Sequence, residues 1–236
     1  MRPLMSPKTE RKCIGLIGGL SWESTNVYYQ LLNQFSKNPH DAWRQPHVII
    51  DSLDFAEIVY HQQREDWAAT GEILAISAAR LESCGATVIG IAANTMHINA
   101  PEVTRSISVP LIDIRDSILR AVKAKGAQSV SLLGTKYLLQ ADFYSSYIEL
   151  AGVRVIKPTN AETDELQRII FDELTQGIVL ASSRERLIDI AQKCQSRGGE
   201  IVALACTEFE LLLNEGNSPF PLVDSTTEHV HDLLGL

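Results

Sequence analysis

The sequence has no run of roughly 18 consecutive apolar residues, the length that a membrane-spanning helix needs. Residues 1 to 12 are polar and basic, without the apolar stretch of a secretory leader, so a cytoplasmic protein is expected. Cysteine is scarce. The four copies, Cys13, Cys84, Cys194 and Cys206, show no CxxC pair and no metal-ligand spacing, which argues against disulfides and structural zinc. A basic excess is missing too. With 21 Lys and Arg against 29 Asp and Glu the net charge is -8, so neither nucleic acid nor an anionic membrane is expected as a partner. The G-x-G-x-x-G spacing and the P-loop lysine are both absent, which excludes the two common nucleotide fingerprints. His61, His229 and His231 show no ligand spacing, and no metal is assigned.

What remains is the composition of an ordinary globular protein. The 236 residues, 45% hydrophobic and 21% charged, suffice for one large α/β domain or two small ones. Strands are expected at 12–19, 48–52, 87–92, 109–113, 129–135, 153–156, 201–205 and 220–224. Helices are expected after Ser21, from Phe55, over 71–84, after Pro101, over 117–125 and 141–150, over 162–194 with a break near Gly177, and after Ser225, which would cap the last of them. Such alternation implies parallel sheets covered on both faces.

A repeat runs through the order. Gly15-Leu16-Ile17-Gly18-Gly19 answers to Ser131-Leu132-Leu133-Gly134-Thr135, Ala92-Ala93-Asn94 to Ala205-Cys206-Thr207, and Val109-Pro110-Leu111-Ile112-Asp113 to Phe220-Pro221-Leu222-Val223-Asp224. Three marks in one order at nearly constant spacing imply two pseudo-symmetric, doubly wound parallel-sheet units. The first is expected to hold 12–116 plus 225–236, the second 117–224. Ligands of such sheets bind beyond the carboxyl ends of the strands, so the site should lie between the halves.

The stretch 201–210 carries the clearest chemical signal. An apolar strand stops at Cys206, and Thr207 with Glu210 three residues on reads as a capping box, whose helix-terminal N–H groups would favour a thiolate. A free cysteine can equally be a buried small hydrophobe. Its counterpart upstream is Ala93, with Asn94 in the place of Thr207. The Gly15-x-x-Gly18-Gly19-x-Ser21 turn fits either a carboxylate held by backbone N–H groups or a tight strand-to-helix turn. His97, one turn after Asn94, reads as an anion donor, a tuner of a thiolate, or a packed side chain. Arg64 and Lys136 are the cations nearest the site loops, and a solvated role suits both.

Gly18-Gly19-Leu20-Ser21-Trp22-Glu23-Ser24-Thr25, Asn94-Thr95-Met96-His97, Leu133-Gly134-Thr135 with Asp142-Phe143-Tyr144, Ile169-Ile170-Phe171-Asp172-Glu173-Leu174 and Cys206-Thr207-Glu208 together resemble the aspartate/glutamate racemase family. The likeness runs from about Lys12 to the C-terminus. It implies two pseudo-symmetric α/β domains with the active site between them, a homodimer, an acidic amino acid as substrate, and no pyridoxal phosphate, metal or nucleotide. It also implies two cysteines on opposite faces of the substrate Cα, one removing the proton and the other returning one. On this resemblance Cys206 is the second catalytic cysteine. Ser21, Asn94, Thr95, Thr135 and Thr207 surround the substrate carboxylates, Arg64 meets the side-chain carboxylate, and His97 and Glu208 support the two cysteine positions.

The chain departs from the pattern at Ala93, where the family carries cysteine or threonine, and a methyl group neither gives nor takes a proton. Leu20 replaces a usual methionine, Leu138-Leu139 a usual Thr-Met, and Glu165 stands near the place of a substrate-binding lysine. The expectation is a racemase impaired in one direction. Two rivals are a regulatory carboxylate-binding protein of the same fold and a lyase or isomerase that needs only one cysteine.

Overall fold

The computed structural model describes residues 12–37, 43 and 45–236, and the basic tail before Lys12 lies outside them. Among the described residues eight strands form two four-stranded parallel sheets. The first contains β1 (Cys13–Gly18), β2 (His47–Ser52), β3 (Val88–Ile91) and β4 (Leu111–Ile112) in the order β2-β1-β3-β4. The second contains β5 (Ser129–Gly134), β6 (Arg154–Ile156), β7 (Ile201–Ala205) and β8 (Leu222–Asp224) in the order β6-β5-β7-β8. The orders are the same when the second half is laid on the first. Ile17 pairs with Ile91 and Gly134 with Ala205, so in each sheet the two central strands end at one level and their turns project from one edge.

The edge strands are shorter than the sequence suggests. Pro110 and Pro221 cannot donate to a ladder, and each instead accepts, from Ile89 and from Val202, just before β4 and β8 begin. The aspartates that end these strands start the next helices. Asp113 accepts from the N–H of Arg115, so α5 runs Ile114–Ala124 and begins before the expected 117. Asp224 accepts from Thr227 and caps α10 (Ser225–Leu234), the role assigned to Ser225 from sequence. The unit break placed between 116 and 117 therefore falls inside a helix. Ile114 and Ile118 of α5 pack in the core of the second half, while Val230 and Leu233 of α10 pack with Ile14, Leu16 and Tyr28 of the first.

The remaining helices cover both faces of each sheet. In the first half α1 (Trp22–Phe35) starts where Ser21 accepts from Ser24, α2 is Phe55–Gln62, α3 Trp67–Ser83 and α4 Ala100–Ser106. Asp66 caps α3 a turn earlier than expected, which puts Gly71 inside the helix. A Cβ there would lie 2.9 Å from the Nδ2 of Asn99, so glycine lets the two segments approach. In the second half α6 is Lys136–Gln140, α7 Asp142–Leu150, α8 Asn160–Arg168 and α9 Ala181–Ser196. Between α8 and α9 the chain makes a π turn, Ile169–Glu173, then a short 3-10 turn that ends at Gly177 with φ +70. Among the described residues no helix is long and apolar enough to cross a membrane.

The turns after β3 and β7 are 3-10 segments, Thr95–Asn99 and Thr207–Leu211, and not the capped α-helices expected. The hydroxyl of Thr207 donates to the neighbouring Glu208 carboxylate, so it forms no capping bond and the Thr207/Glu210 box does not form.

Candidate active site

The turns that leave the two sheets face each other across an open cavity of about 460 Å³, open solvent included. Leu20, Phe55, Ile58, Gln62 and residues 93–96 line it from the first half; Thr135, Ile170, Phe171, Thr175 and residues 205–208 line it from the second. Ala93 and Cys206, equivalent by the repeat, thus share one cavity.

Cys206 is 4% exposed. Burial pushes its thiol well above the ordinary cysteine range, and the charge of Glu208 with the hydrogen bond to it adds to the effect. The N–H groups of Glu208 and Phe209 act in the opposite sense but are outweighed, so Cys206 rests as a thiol and not as the thiolate expected from sequence. Its Sγ donates to Glu208 Oε2 at 3.1 Å, where the hydroxyl of Thr207 also donates at 2.8 Å. The hydroxyl of Ser21 reaches Glu208 Oε1 from the other half at 2.5 Å. Three donors, the thiol among them, satisfy one buried carboxylate.

Two further bonds cross between the halves. Thr95 and Thr135 join through their hydroxyls at 2.8 Å, and the hydroxyl of Tyr144 donates to Asn94 Oδ1 at 2.7 Å. Asn94 Nδ2 donates to Ser225 Oγ at 2.9 Å, which leaves one amide hydrogen for a ligand. Asn94, Thr95, Thr135, Thr207, Glu208 and Cys206 are therefore brought together.

Other residues singled out from sequence lie elsewhere. His97 is fully buried behind the cavity. Its Nε2 accepts from the N–H of Ile114 at 3.2 Å, so its Nδ1 carries the proton and donates to the Ala93 carbonyl at 2.9 Å. Burial lowers its pKa, and this neutral ring fixes the β3 turn to the start of α5; it touches no ligand space. Arg64 does not line the cavity: its guanidinium lies 3.7 Å over the Tyr60 ring and donates to the Tyr60 carbonyl. Lys136 pairs with Asp164 at 2.7 Å, and Glu165 pairs with Arg168 at 3.1 Å. Ser21 acts through Glu208 and is not a lining residue. The glycine turn before it is a packing device. The N–H of Gly19 is taken by Thr25 Oγ1 at 2.8 Å, and a Cβ on Gly19 would collide with the Leu53 backbone at 2.2 Å.

Sequence reasoning missed the walls: Phe55, Ile58 and Gln62 of α2, and Ile170, Phe171 and Thr175 of the π turn and its sequel. The apolar run directly after α8 was a signal for the second group; nothing in α2 marked the first.

The model of the Asp/Glu/Hydantoin racemase family matches residues 17–233, nearly the whole chain. The chain belongs to this family. It is 36% identical to an aspartate racemase homologue of known structure from Pyrococcus horikoshii OT3, with a TM-score of 0.82 over 95% of this chain and 98% of that one. A candidate Asp/Glu racemase from Yersinia pestis superposes with a TM-score of 0.85 at 34% identity, over 95% of this chain and 98% of that one. The broad specificity amino-acid racemase RacX of Bacillus subtilis (strain 168) is 22% identical over 90% of this chain and 92% of its own length. Family and relatives place the protein among the amino-acid racemases, which are isomerases. In the cavity between the facing turns of this racemase, Ala93 and Cys206 occupy equivalent positions with a methyl group on one wall and a thiol on the other.

Proposed function

We propose that this racemase transfers a proton at the Cα of an amino acid without a cofactor, with Cys206 as the acid/base group. The observation that carries the reading is the thiol of Cys206 donating to Glu208 inside the cavity that Ala93 also lines. Glu208 accepts the thiol proton as the sulfur takes the α-hydrogen, so the bond to carbon breaks while the S–H bond is renewed. The one hydroxyl proton that the Thr95–Thr135 bond leaves over and the free amide hydrogen of Asn94 stand ready to hold the substrate carboxylate as negative charge develops on it.

A preorganised donor set matters because the α-hydrogen of an amino acid is only weakly acidic. Inversion further requires an acid on the opposite face, and the Ala93 methyl supplies none. Loss of one such group costs on the order of 10²–10⁴-fold in the step it serves. The reading is therefore one-sided exchange, with slow racemisation completed by water. The resemblance implies acidic amino acids, but these donors recognise only the α-carboxylate, which every amino acid carries. A cytoplasmic homodimer belongs to the same reading, and light scattering at twice 26.1 kDa would test the assembly.

Proton NMR in deuterium oxide tests the chemistry. One enantiomer of a substrate should lose its α-proton signal much faster than the other, and Cys206→Ser should abolish the loss. Equal rates for both enantiomers, or exchange that survives Cys206→Ser, would refute the assignment.

A further inference from the structure

We infer that the side-chain end of the cavity takes an uncharged apolar group, so that the substrate is a neutral amino acid with a sizeable apolar side chain and not a dicarboxylate. The inference rests on the reading of Cys206 above for which end of the cavity holds the reacting carbon. Apart from Gln62 and Thr175, the polar lining lies on the turns at the strand ends. Asn94 and the Thr95–Thr135 pair supply donors for one carboxylate, and among the described residues Glu208 is the one charged group of the lining. The rest of the lining is apolar, with Leu20 and Met96 on the turns and Phe55, Ile58, Ile170 and Phe171 on the flanking helical segments.

Among the described residues no Lys, Arg or His lines the cavity. In this structure the basic side chains of the neighbouring segments contact other partners and none reaches the lining. Lys136 is held by Asp164, Arg168 by both Glu165 and Glu173, Arg115 by Asp113 at 2.6 Å, and Arg64 by Tyr60. A second carboxylate among these walls would lose its water without gaining a cation, and Glu208 would repel it. Gln62 and Thr175 are the polar side chains on this side, both neutral, and the Thr175 hydroxyl already donates to the Phe171 carbonyl at 3.0 Å. An apolar side chain, by contrast, exchanges water for hydrocarbon over its whole surface. The Ala93 methyl extends the same apolar surface to the face of the substrate that the missing thiol would have approached.

The test separates binding from chemistry. Titration calorimetry on Cys206→Ser, with both enantiomers of leucine, methionine, phenylalanine, aspartate and glutamate, reads the side-chain preference where no thiol acts. At least one apolar amino acid should bind about tenfold or more tighter than either acid, the scale on which an apolar pocket discriminates. In Phe171→Arg the ratio should move about tenfold or more toward aspartate, and circular dichroism confirms that the variant is folded. Aspartate or glutamate binding as tightly as the apolar set, or no apolar amino acid binding at millimolar concentration, would overturn the inference. If the preference is present but the wild-type protein exchanges none of these α-hydrogens, the side-chain assignment stands and the proton-transfer reading falls.

Discussion

The sulfur of Cys206 lies 3.1 Å from Oε2 of Glu208, two residues on, with the thiol as donor and the carboxylate as acceptor. A carboxylate next to a buried thiol opposes a resting thiolate, yet it is the group that can receive the proton at the moment of reaction. Glu208→Gln keeps the shape and an acceptor oxygen but removes the basicity. The α-hydrogen exchange rate of this variant should fall by about 10²–10⁴-fold, with a small change in melting temperature. An unchanged rate would show that Glu208 serves only to hold Ser21 and Thr207.

Ala93→Cys places a thiol on the facing wall. Racemisation should rise by about tenfold or more relative to the wild type, and the enantiomer that exchanged slowly should gain most. Polarimetry alongside deuterium exchange separates the two. If a correctly folded variant still binds substrate but gains nothing, geometry and not the missing thiol limits the reaction.

The raised thiol of Cys206 predicts a pH dependence. Because the thiolate is the reactive form, alkylation of Cys206 by iodoacetamide should be slow at neutral pH and should keep rising beyond the ordinary cysteine range. Cys84 is exposed and should be labelled first. Peptide mapping after timed labelling gives the order; early labelling of Cys206 would contradict a buried, proton-bearing sulfur.

Glu210 makes an opposite kind of prediction, for stability. Burial, with the charge of Asp224 beside it, pushes its carboxyl up to about 8, and its Oε2 has no hydrogen-bond partner. A folded-state value above the unfolded 4.5 means that the group's favourable contribution is complete at low pH and is lost as the pH rises toward about 8. The wild-type melting temperature should decline over that interval. Glu210→Gln, which carries no charge, should flatten the decline and be the more stable form at the alkaline end. Parallel curves for the two proteins would show that Glu210 ionises as freely as in the unfolded chain.

Much of the architecture was legible in the sequence because its signals are local. Gly18 and Gly134, Ala93 and Cys206, and Asp113 and Asp224 mark equivalent points of two sheets with one strand order, and Ser21 does cap α1. The errors came where a tertiary partner overruled a local motif. Thr207 turns from the capping role to Glu208, and Ser225 yields its cap to Asp224 and instead receives the Asn94 amide. His97 could be placed near the site from its spacing, but its role depended on the N–H of Ile114, which reaches it only in the folded chain. Arg64 shows the limit of proximity in sequence, since a cation beside the site segments spends itself on Tyr60. The apolar walls from α2 and the π turn look like any packed helix face until both are seen across one cavity.

The last helix has a bearing on how the protein is made. Leu233 of α10 lies against β3, where a Cβ on Gly90 would sit 3.0 Å from both of its methyl groups. The N-terminal half is thus closed by a segment that leaves the ribosome after the entire C-terminal half. Until then the surfaces of Ile14, Leu16 and Val88 remain partly uncovered, a window in which chaperones or aggregation compete with closure. Trimming α10 would accordingly loosen the first half, and Asn94 gains its Ser225 partner only once residues 225–234 have emerged.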